Sequence, residues 1–237
     1  MMKINLLWII FSAFFLGCTA QYDQAYQFRY TFDKDQEGWQ AGFADLPADY
    51  DPDLFELDSG WSELPTGLAG SAIYLSGHNR SDDLFMYLKQ HITGLKPGTT
   101  YQVNFSIDLA SNTPEGMIGI GGSPGENVYI KAGAVNREPG LVTDDIGWLR
   151  LNLDKGNQAS EGEDLINLGT IANPNIDTST FTGDEYALMN LNNQMKPFTV
   201  TSDKDGSIWV LVGSDSGFEG ATTLYYDAFE IQLTEEK

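Results

Sequence analysis

Tyr101-Gln-Val-Asn-Phe-Ser-Ile-Asp-Leu-Ala110 alternates without a break, with Tyr101, Val103, Phe105, Ile107 and Leu109 on one side and Gln102, Asn104, Ser106, Asp108 and Ala110 on the other. Successive strand residues point to opposite faces, so a period of two marks a strand with one buried face. Residues 93–100, Thr-Gly-Leu-Lys-Pro-Gly-Thr-Thr, precede it and carry Pro97 and Gly98, the residue types that reverse a chain. Before that turn, residues 84–92 read as the partner strand. Leu84, Met86, Leu88 and Ile92 face one way; Phe85, Tyr87, Lys89 and His91 face the other. Large side chains on both faces mean either burial between two layers or one half of a binding surface.

The rest of the chain repeats this grammar. Tyr26, Phe28, Tyr30 and Phe32 alternate in the opening strand. Further short strands are expected at 39–43, 54–57, 72–76, 117–120, 128–134, 148–153, 165–171, 187–191, 198–201, 208–212 and 224–233. Between them lie turns rich in Gly, Pro, Asn and Asp, with long polar loops at 156–164 and 173–185. No stretch of eleven residues shows the i, i+3, i+4, i+7 spacing of an amphipathic helix with caps. The expected fold is all-β, a two-sheet antiparallel β-sandwich of jelly-roll type with little helix. No linker divides it, so residues 26–237 read as one domain.

The N-terminus supplies an address. Lys3, an apolar run over residues 4–16 and Gly17-Cys18 describe a secretory signal that is too short to span a bilayer. Cys18 at the end of that run resembles the lipidated cysteine of bacterial lipoproteins, although Phe15-Leu16 departs from the usual pattern before it. The resemblance implies a signal peptide at 1–17, a lipidated Cys18 with a short tether at 18–25, and exported protein held in the cell envelope, at the outer membrane or cell surface. Cys18 is the single cysteine, so no internal disulfide can form. With 13 basic against 34 acidic residues the formal charge is −21. Such a surface repels nucleic acid and anionic headgroups, leaving the lipid anchor as the only expected membrane contact, and it favours cations.

Three pieces carry a wider resemblance: Phe32-Asp33 with Gly38-Trp39, the segment Ile92 to Tyr101 with the strand after it, and the closing Leu224-Tyr-Tyr-Asp-Ala-Phe-Glu-Ile231. Together they resemble carbohydrate-binding-module jelly rolls with a galactose-binding-like fold, and the whole is similar to a family of bacterial surface lipoproteins. The resemblance implies glycan or protein binding and often a structural calcium ion. The matching positions for that ion are Asp33, Asp35 and Asp227. Asp227 is expected to face inward, in phase with Tyr225, Phe229 and Ile231. A buried carboxylate needs a partner or an ion, and calcium takes six to eight oxygens. A solvated turn, with Asp227 bonded to backbone amides, is the alternative.

Sugars are held by aromatic faces and by planar polar side chains at their edges. The candidate ligand residues are therefore His78, Asn79, Arg80, Asp82 and Asp83 in the loop, Phe85, Tyr87, Lys89 and His91 on the strand, and Asp215 and Glu219 near the last strand. Burial of Phe85 and Tyr87 under a neighbouring segment is the competing expectation.

Catalytic patterns are thin. Gly121-Gly-Ser-Pro-Gly125 has the letters of a nucleophile elbow, but a strand and not a helix is expected after it. Gly213-Ser-Asp-Ser-Gly217 lacks the histidine context of a serine protease. Tyr129-Ile-Lys-Ala-Gly133 resembles part of a jelly-roll alginate-lyase motif, in which His91 as base and Tyr129 as acid would have to reach one sugar. The two histidines fall in separate segments, which disfavours zinc. The sequence thus points to a non-catalytic, envelope-anchored glycan binder. A polysaccharide lyase and an adhesion or scaffold protein with a protein partner are the alternatives.

Overall fold

The computed structural model describes residues 25–179 and 181–236, so the expected signal peptide, Cys18 and most of the expected tether lie outside the described residues. In chain order the strands are β1 (Ala25–Tyr30), β2 (Gln40–Ala44), β3 (Leu46–Pro47), β4 (Asp58–Glu63), β5 (Ser71–His78), β6 (Leu84–Ile92), β7 (Thr100–Ser111), β8 (Val128–Val135), β9 (Leu141–Thr143), β10 (Trp148–Leu151), β11 (Leu165–Thr170), β12 (Ala187–Asn192), β13 (Thr199–Thr201), β14 (Ile208–Ser216) and β15 (Ala221–Glu235). One helical turn, α1 (Pro52–Phe55), interrupts them. The all-β expectation holds.

Two antiparallel sheets form the sandwich. The first runs β12-β7-β15-β5-β4, with β1 and β13 completing the half-length places beside β15 and β7. The second runs β11-β8-β14-β6-β2. In the first sheet β15 is the spine. Its first half pairs with β5, its second half with β1, and β7 runs along its other side. The alternation of β7 is realised as read: Tyr101, Val103, Phe105, Ile107 and Leu109 are all buried. They meet Met86, Leu88, Val210 and Val212 from the second sheet in one core. Each such side chain contributes roughly 1.5–3 kcal/mol on burial.

At one edge of the core Trp39 packs edge-on against Tyr30, Phe32 and Phe229, with ring centroids 4.8 Å apart in the Trp39–Phe229 pair. The opening strand therefore ends in an aromatic knot. Phe32 reaches it from a left-handed backbone, with φ at 54°.

Five local expectations change. Residues 84–92 are not the partner strand of β7: β6 pairs with β14 and β2 in the second sheet, β7 with β15 and β12 in the first, and the Pro97-Gly98 turn carries the chain from one sheet to the other. Residues 54–57 do not form a strand, because Asp51 caps a helical turn by accepting from the Asp53 amide and Pro52 starts it. Residues 117–120 are loop, leaving Ile118 and Ile120 largely exposed. His78 is the last residue of β5 and not part of the loop after it. Asp227 does not share a face with Phe229. The pairing of β15 with β7 shifts between Tyr226 and Ala228, so Asp227 is the extra residue of a β-bulge. Tyr226 and Phe229 point inward on either side, while Tyr225 and Asp227 stay partly exposed.

A third, small sheet, β3-β10-β9, lies outside the two-layer plan. Leu151 and Leu153, from β10 and the segment after it, pack with Phe85, Tyr87, Leu211 and Leu165. This second layer covers one end of the outer face of the β6-β14-β8 sheet.

Candidate binding site

The outer face of the second sheet divides into a covered half and an open half. In the covered half Phe85 and Tyr87 stack nearly parallel, 5.7 Å between centroids, and are buried. Their rings lie flat because the neighbouring strands offer glycine. A Cβ on Gly42 would stand 2.4 Å from the Tyr87 ring, and one on Gly213 would stand 2.8 Å from Phe85. Neither ring can touch a glycan while the second layer is in place. Burial, and not a binding surface, is the outcome for these two.

Above them sits a cluster of buried charge. Lys131 and Asp215 are fully buried and 2.8 Å apart. Lys155 Nζ stands 2.8 Å from both Asp215 Oδ2 and Asp45 Oδ2. Arg150 Nη1 reaches Asp45 Oδ1 at 2.7 Å and Asp83 Oδ2 at 3.3 Å, and its Nε reaches Asp144 at 3.2 Å. The basic groups thus pin the second layer to the sheet beneath. Burial and the neighbouring Asp45 push the Asp83 carboxyl up to about 7, with Lys155 opposing and Asp215 adding to the rise. Burial lowers Lys131, whereas for Lys155 burial is outweighed by Asp215, Asp45 and Asp83, and its pKa rises. A pocket of about 340 Å³ opens here, lined by Asp45, Asp83, Arg150, Lys155 and Asn157 among others. Asp45, Asp83 and Asp215 bring carboxylate oxygens within 4.8 Å of one another, a spacing that could hold a metal ion. The ammonium of Lys155 already stands against two of them.

The expected ligand residues therefore scatter. Asp83 and Asp215 meet in the charged cluster. His78 and Arg80 turn instead to Glu56, at 3.3 and 3.2 Å. Asn79 is buried and donates to the Ser216 carbonyl. Asp82 is exposed, and its carbonyl accepts from Gln158. Glu219 is exposed in the loop before β15. Lys89 and His91 lie in the open half, where His91 stacks on Trp209 at 4.6 Å and Lys89 binds Glu138 at 3.0 Å. Asp215 pairs with Tyr129 and Trp209 pairs with His91, six positions along β14. At about 3.3 Å per residue that puts Tyr129 and His91 roughly 20 Å apart, too far to act on one sugar.

The metal residues also separate. Among the described residues no group of three acids that includes Asp33, Asp35 or Asp227 converges as Asp45, Asp83 and Asp215 do. Asp35 accepts from the Glu37 amide and Asp33 accepts from the Thr31 hydroxyl, as turn carboxylates do. Burial, with Asp108 and Asp33 nearby, raises Asp227.

A different site emerges at the sandwich edge where β2 and β4 end their sheets. Trp61 pairs across from the core residue Ile73, so it faces inward, yet at the edge it remains 40% exposed. Its indole N–H donates to the Phe32 carbonyl at 2.6 Å, which fixes the ring. Asp35, Gln36, Glu37, Gly38 and Gln40 complete a cleft of about 570 Å³ around it. The loop is held from within: Glu37 Oε1 accepts from the amides of Thr31 and Phe32 at 2.8 and 2.9 Å, and Gln90 donates to the Glu37 carbonyl at 2.8 Å. The result is a preformed, half-open cleft with one aromatic wall and amide and carboxylate edges. Pattern reading flags Trp61 only as a tryptophan beside loops, since neither the cleft nor its partners are near it in sequence.

No family model matches the chain, and no curated protein matches it. Solved structures do. A carbohydrate-binding module, TmCBM27, described for specific mannan recognition, shares 13% identity over 90% of this chain and 99% of its own, with a TM-score of 0.40. TmCBM61, solved with β-1,4-galactotriose, shares 12% identity over 83% of this chain and 89% of its own, with a TM-score of 0.36. The enzymatically active domain of tailspike protein 4 from bacteriophage CBA120 shares 11% identity over 84% of this chain at a TM-score of 0.37, and the match spans 20% of that chain. The likeness to the two modules is one of β-sandwich architecture.

Proposed function

We propose that this protein is an envelope-anchored lipoprotein that binds an extracellular glycan in the Trp61 cleft. One observation carries the reading: a fixed, 40% exposed indole forms the wall of a 570 Å³ cleft edged by Gln36, Glu37 and Gln40. An aromatic face takes the C–H surface of a pyranose, and amide and carboxylate groups take its hydroxyls. The volume falls within the usual range for small-ligand sites. Export and anchoring through Cys18, at the outer membrane or cell surface, belong to the proposal on the strength of the signal sequence. A structural calcium ion belongs to it as well, near Asp33 and Asp227, where like charge crowds against Asp108 and a divalent cation would relieve it. Equal melting temperatures in calcium and in chelator would remove that part.

The test of binding is a glycan array read with the wild-type chain and with Trp61→Ala. Binding that disappears in the variant supports the cleft. Binding that survives it moves the site elsewhere, and the open face at Trp209 and His91 is the next surface to vary. No binding to any glycan, with or without calcium, sinks the reading in favour of a protein partner.

A further inference from the structure

The Trp61 cleft carries charge of one sign. Asp35 and Glu37 are both exposed and both line it, with Gln36 and Gln40 beside them, and no basic side chain lines it among the described residues. The same two carboxylates also line an adjoining hollow of about 360 Å³, shared with Thr31, Asp33 and Lys34. They therefore stand between the two spaces. Lys34 belongs to the hollow and not to the cleft.

The turn holds these carboxylates without saturating them. Asp35 uses Oδ1 to accept from the Glu37 amide, and Glu37 uses Oε1 to accept from the amides of Thr31 and Phe32. Asp35 Oδ2 and Glu37 Oε2 accept from no group among the described residues. Each side chain is thus positioned by one oxygen and keeps the other for a ligand.

Trp61 adds an element independent of the acids. Its indole N–H is already given to the Phe32 carbonyl at 2.6 Å, so the ring offers a ligand its π system and no polar donor. The face of that π system is the negative pole of the ring quadrupole, and tryptophan is the best of the aromatic side chains for a cation. A ligand with an apolar face and a positive charge at its edge meets both elements together.

We infer that the cleft selects a glycan carrying a free amine, a hexosamine whose nitrogen is not acetylated, over neutral and acidic sugars. The inference rests on the glycan reading of the cleft and adds the class of sugar. The pyranose C–H face lies on Trp61, and its ammonium reaches Asp35 and Glu37. Charge-assisted hydrogen bonds are about twice as strong as neutral ones, so an ammonium gains over a hydroxyl at the same ring carbon. A uronate or a sulfate ester meets the two carboxylates as like charge, on a chain of formal charge −21. A lysine-rich peptide carries the right charge but has no pyranose face for the ring.

Calorimetric titration of the full-length chain tests this at pH 6, where a hexosamine amine is charged. The probes are β-1,4-linked tetramers of glucosamine, glucose and glucuronate, with tetralysine as the peptide arm. Chelator is present, so that no divalent cation competes for the carboxylates. The glucosamine tetramer is expected to bind about tenfold more tightly than the glucose tetramer, a preference that shrinks as salt rises. The glucuronate tetramer is expected not to bind. In the double variant Asp35→Asn with Glu37→Gln, the ratio of the glucosamine to the glucose affinity is expected to fall to about one. Asn and Gln keep the side-chain oxygens that accept from the backbone amides, so the turn is retained.

A glucosamine tetramer that does not bind, or binds no better than the glucose tetramer, overturns the inference. Trp61-dependent binding of a neutral glycan on the array then leaves the broader reading standing, whereas binding to no glycan at all removes both. Tetralysine that binds as tightly as the glucosamine tetramer, with no loss in Trp61→Ala, also overturns the inference and assigns the selection to charge alone. An unchanged ratio in the double variant overturns the role given to Asp35 and Glu37.

Discussion

The charged cluster under the second layer and the Trp61 cleft at the sandwich edge are opposites in construction. The first gathers Lys131, Lys155, Asp45 and Asp215, all buried, and joins β8, β14, the corner between β2 and β3, and the segment after β10. The second holds one aromatic ring, Trp61 of β4, half in water beside a loop fixed by the Glu37 carboxylate. Charges out of water interact strongly and tolerate no missing partner, so the cluster governs integrity. A half-exposed ring contributes little to folding and is free to meet a ligand. Stability and recognition are therefore expected to separate along this line, and substitutions on each side can break the separation.

The largest effect is expected from Asp215→Ala. It strands Lys131 and Lys155, and loss of one partner from a buried pair costs about 3–5 kcal/mol. Urea unfolding measures it, and a loss below about 1 kcal/mol would mean that the cluster does not govern integrity. Gly133→Ala comes next. Its Cβ would stand 2.0 Å from the Asp164 carbonyl, so β11 and the segment before it must shift. Overpacking of this kind costs about 1–3 kcal/mol, again read by urea unfolding.

Asp83 links the cluster to pH. Its folded pKa of about 7 lies above the ordinary 3.8, so the folded state binds the proton more tightly than the unfolded chain. The stabilisation from this group is complete below about pH 4 and is lost as pH rises through about 7. Burial and Asp45 are the first causes. Asp83→Asn is expected to flatten the fall in urea midpoint between pH 5 and pH 8. An unchanged slope would assign that fall to other groups.

On the other side of the comparison, Trp61→Ala is expected to weaken glycan binding about tenfold, or about 1.4 kcal/mol, by titration calorimetry. Its melting temperature should move far less than that of Asp215→Ala; a comparable drop would erase the distinction between the two regions. The smallest effect belongs to Arg80→Ala. Its contact with Glu56 is exposed on both sides, and such pairs are worth about 0–1 kcal/mol. A large loss there would show that the loop after β5 matters more than its packing implies.

Much of this was legible in the string. The period-two runs of β1, β6 and β7 correctly imply a sandwich, whereas the Pro97-Gly98 turn joins its two sheets and does not pair β6 with β7. The loops at 156–164 and 173–185 are also visible as segments poor in apolar residues. What the first of these does is not visible: residues 152–164 fold back over Phe85 and Tyr87, bringing Lys155 to Asp215. The strand β6 explains why both faces are large, since it is core on one side and covered on the other. Asp83 and Asp215 were readable as polar residues near strand ends, whereas Asp45, Arg150, Lys131 and Lys155 show no local signal. A charge in a sequence carries no mark of the partner it meets across the fold. The bulge at Asp227 was likewise hidden, because alternation read along one strand says nothing of a register shift against its neighbour.

The sequence by itself determined the fold class, the core faces of the main strands and the acidic balance of the chain. These follow from local periodicity and composition, which need no knowledge of what lies opposite. Tertiary structure decided which aromatic rings are buried, which carboxylates converge and which tryptophan opens onto a cleft. Those outcomes depend on contacts between residues far apart in the chain, where a second layer removes water from one patch and an edge leaves another exposed.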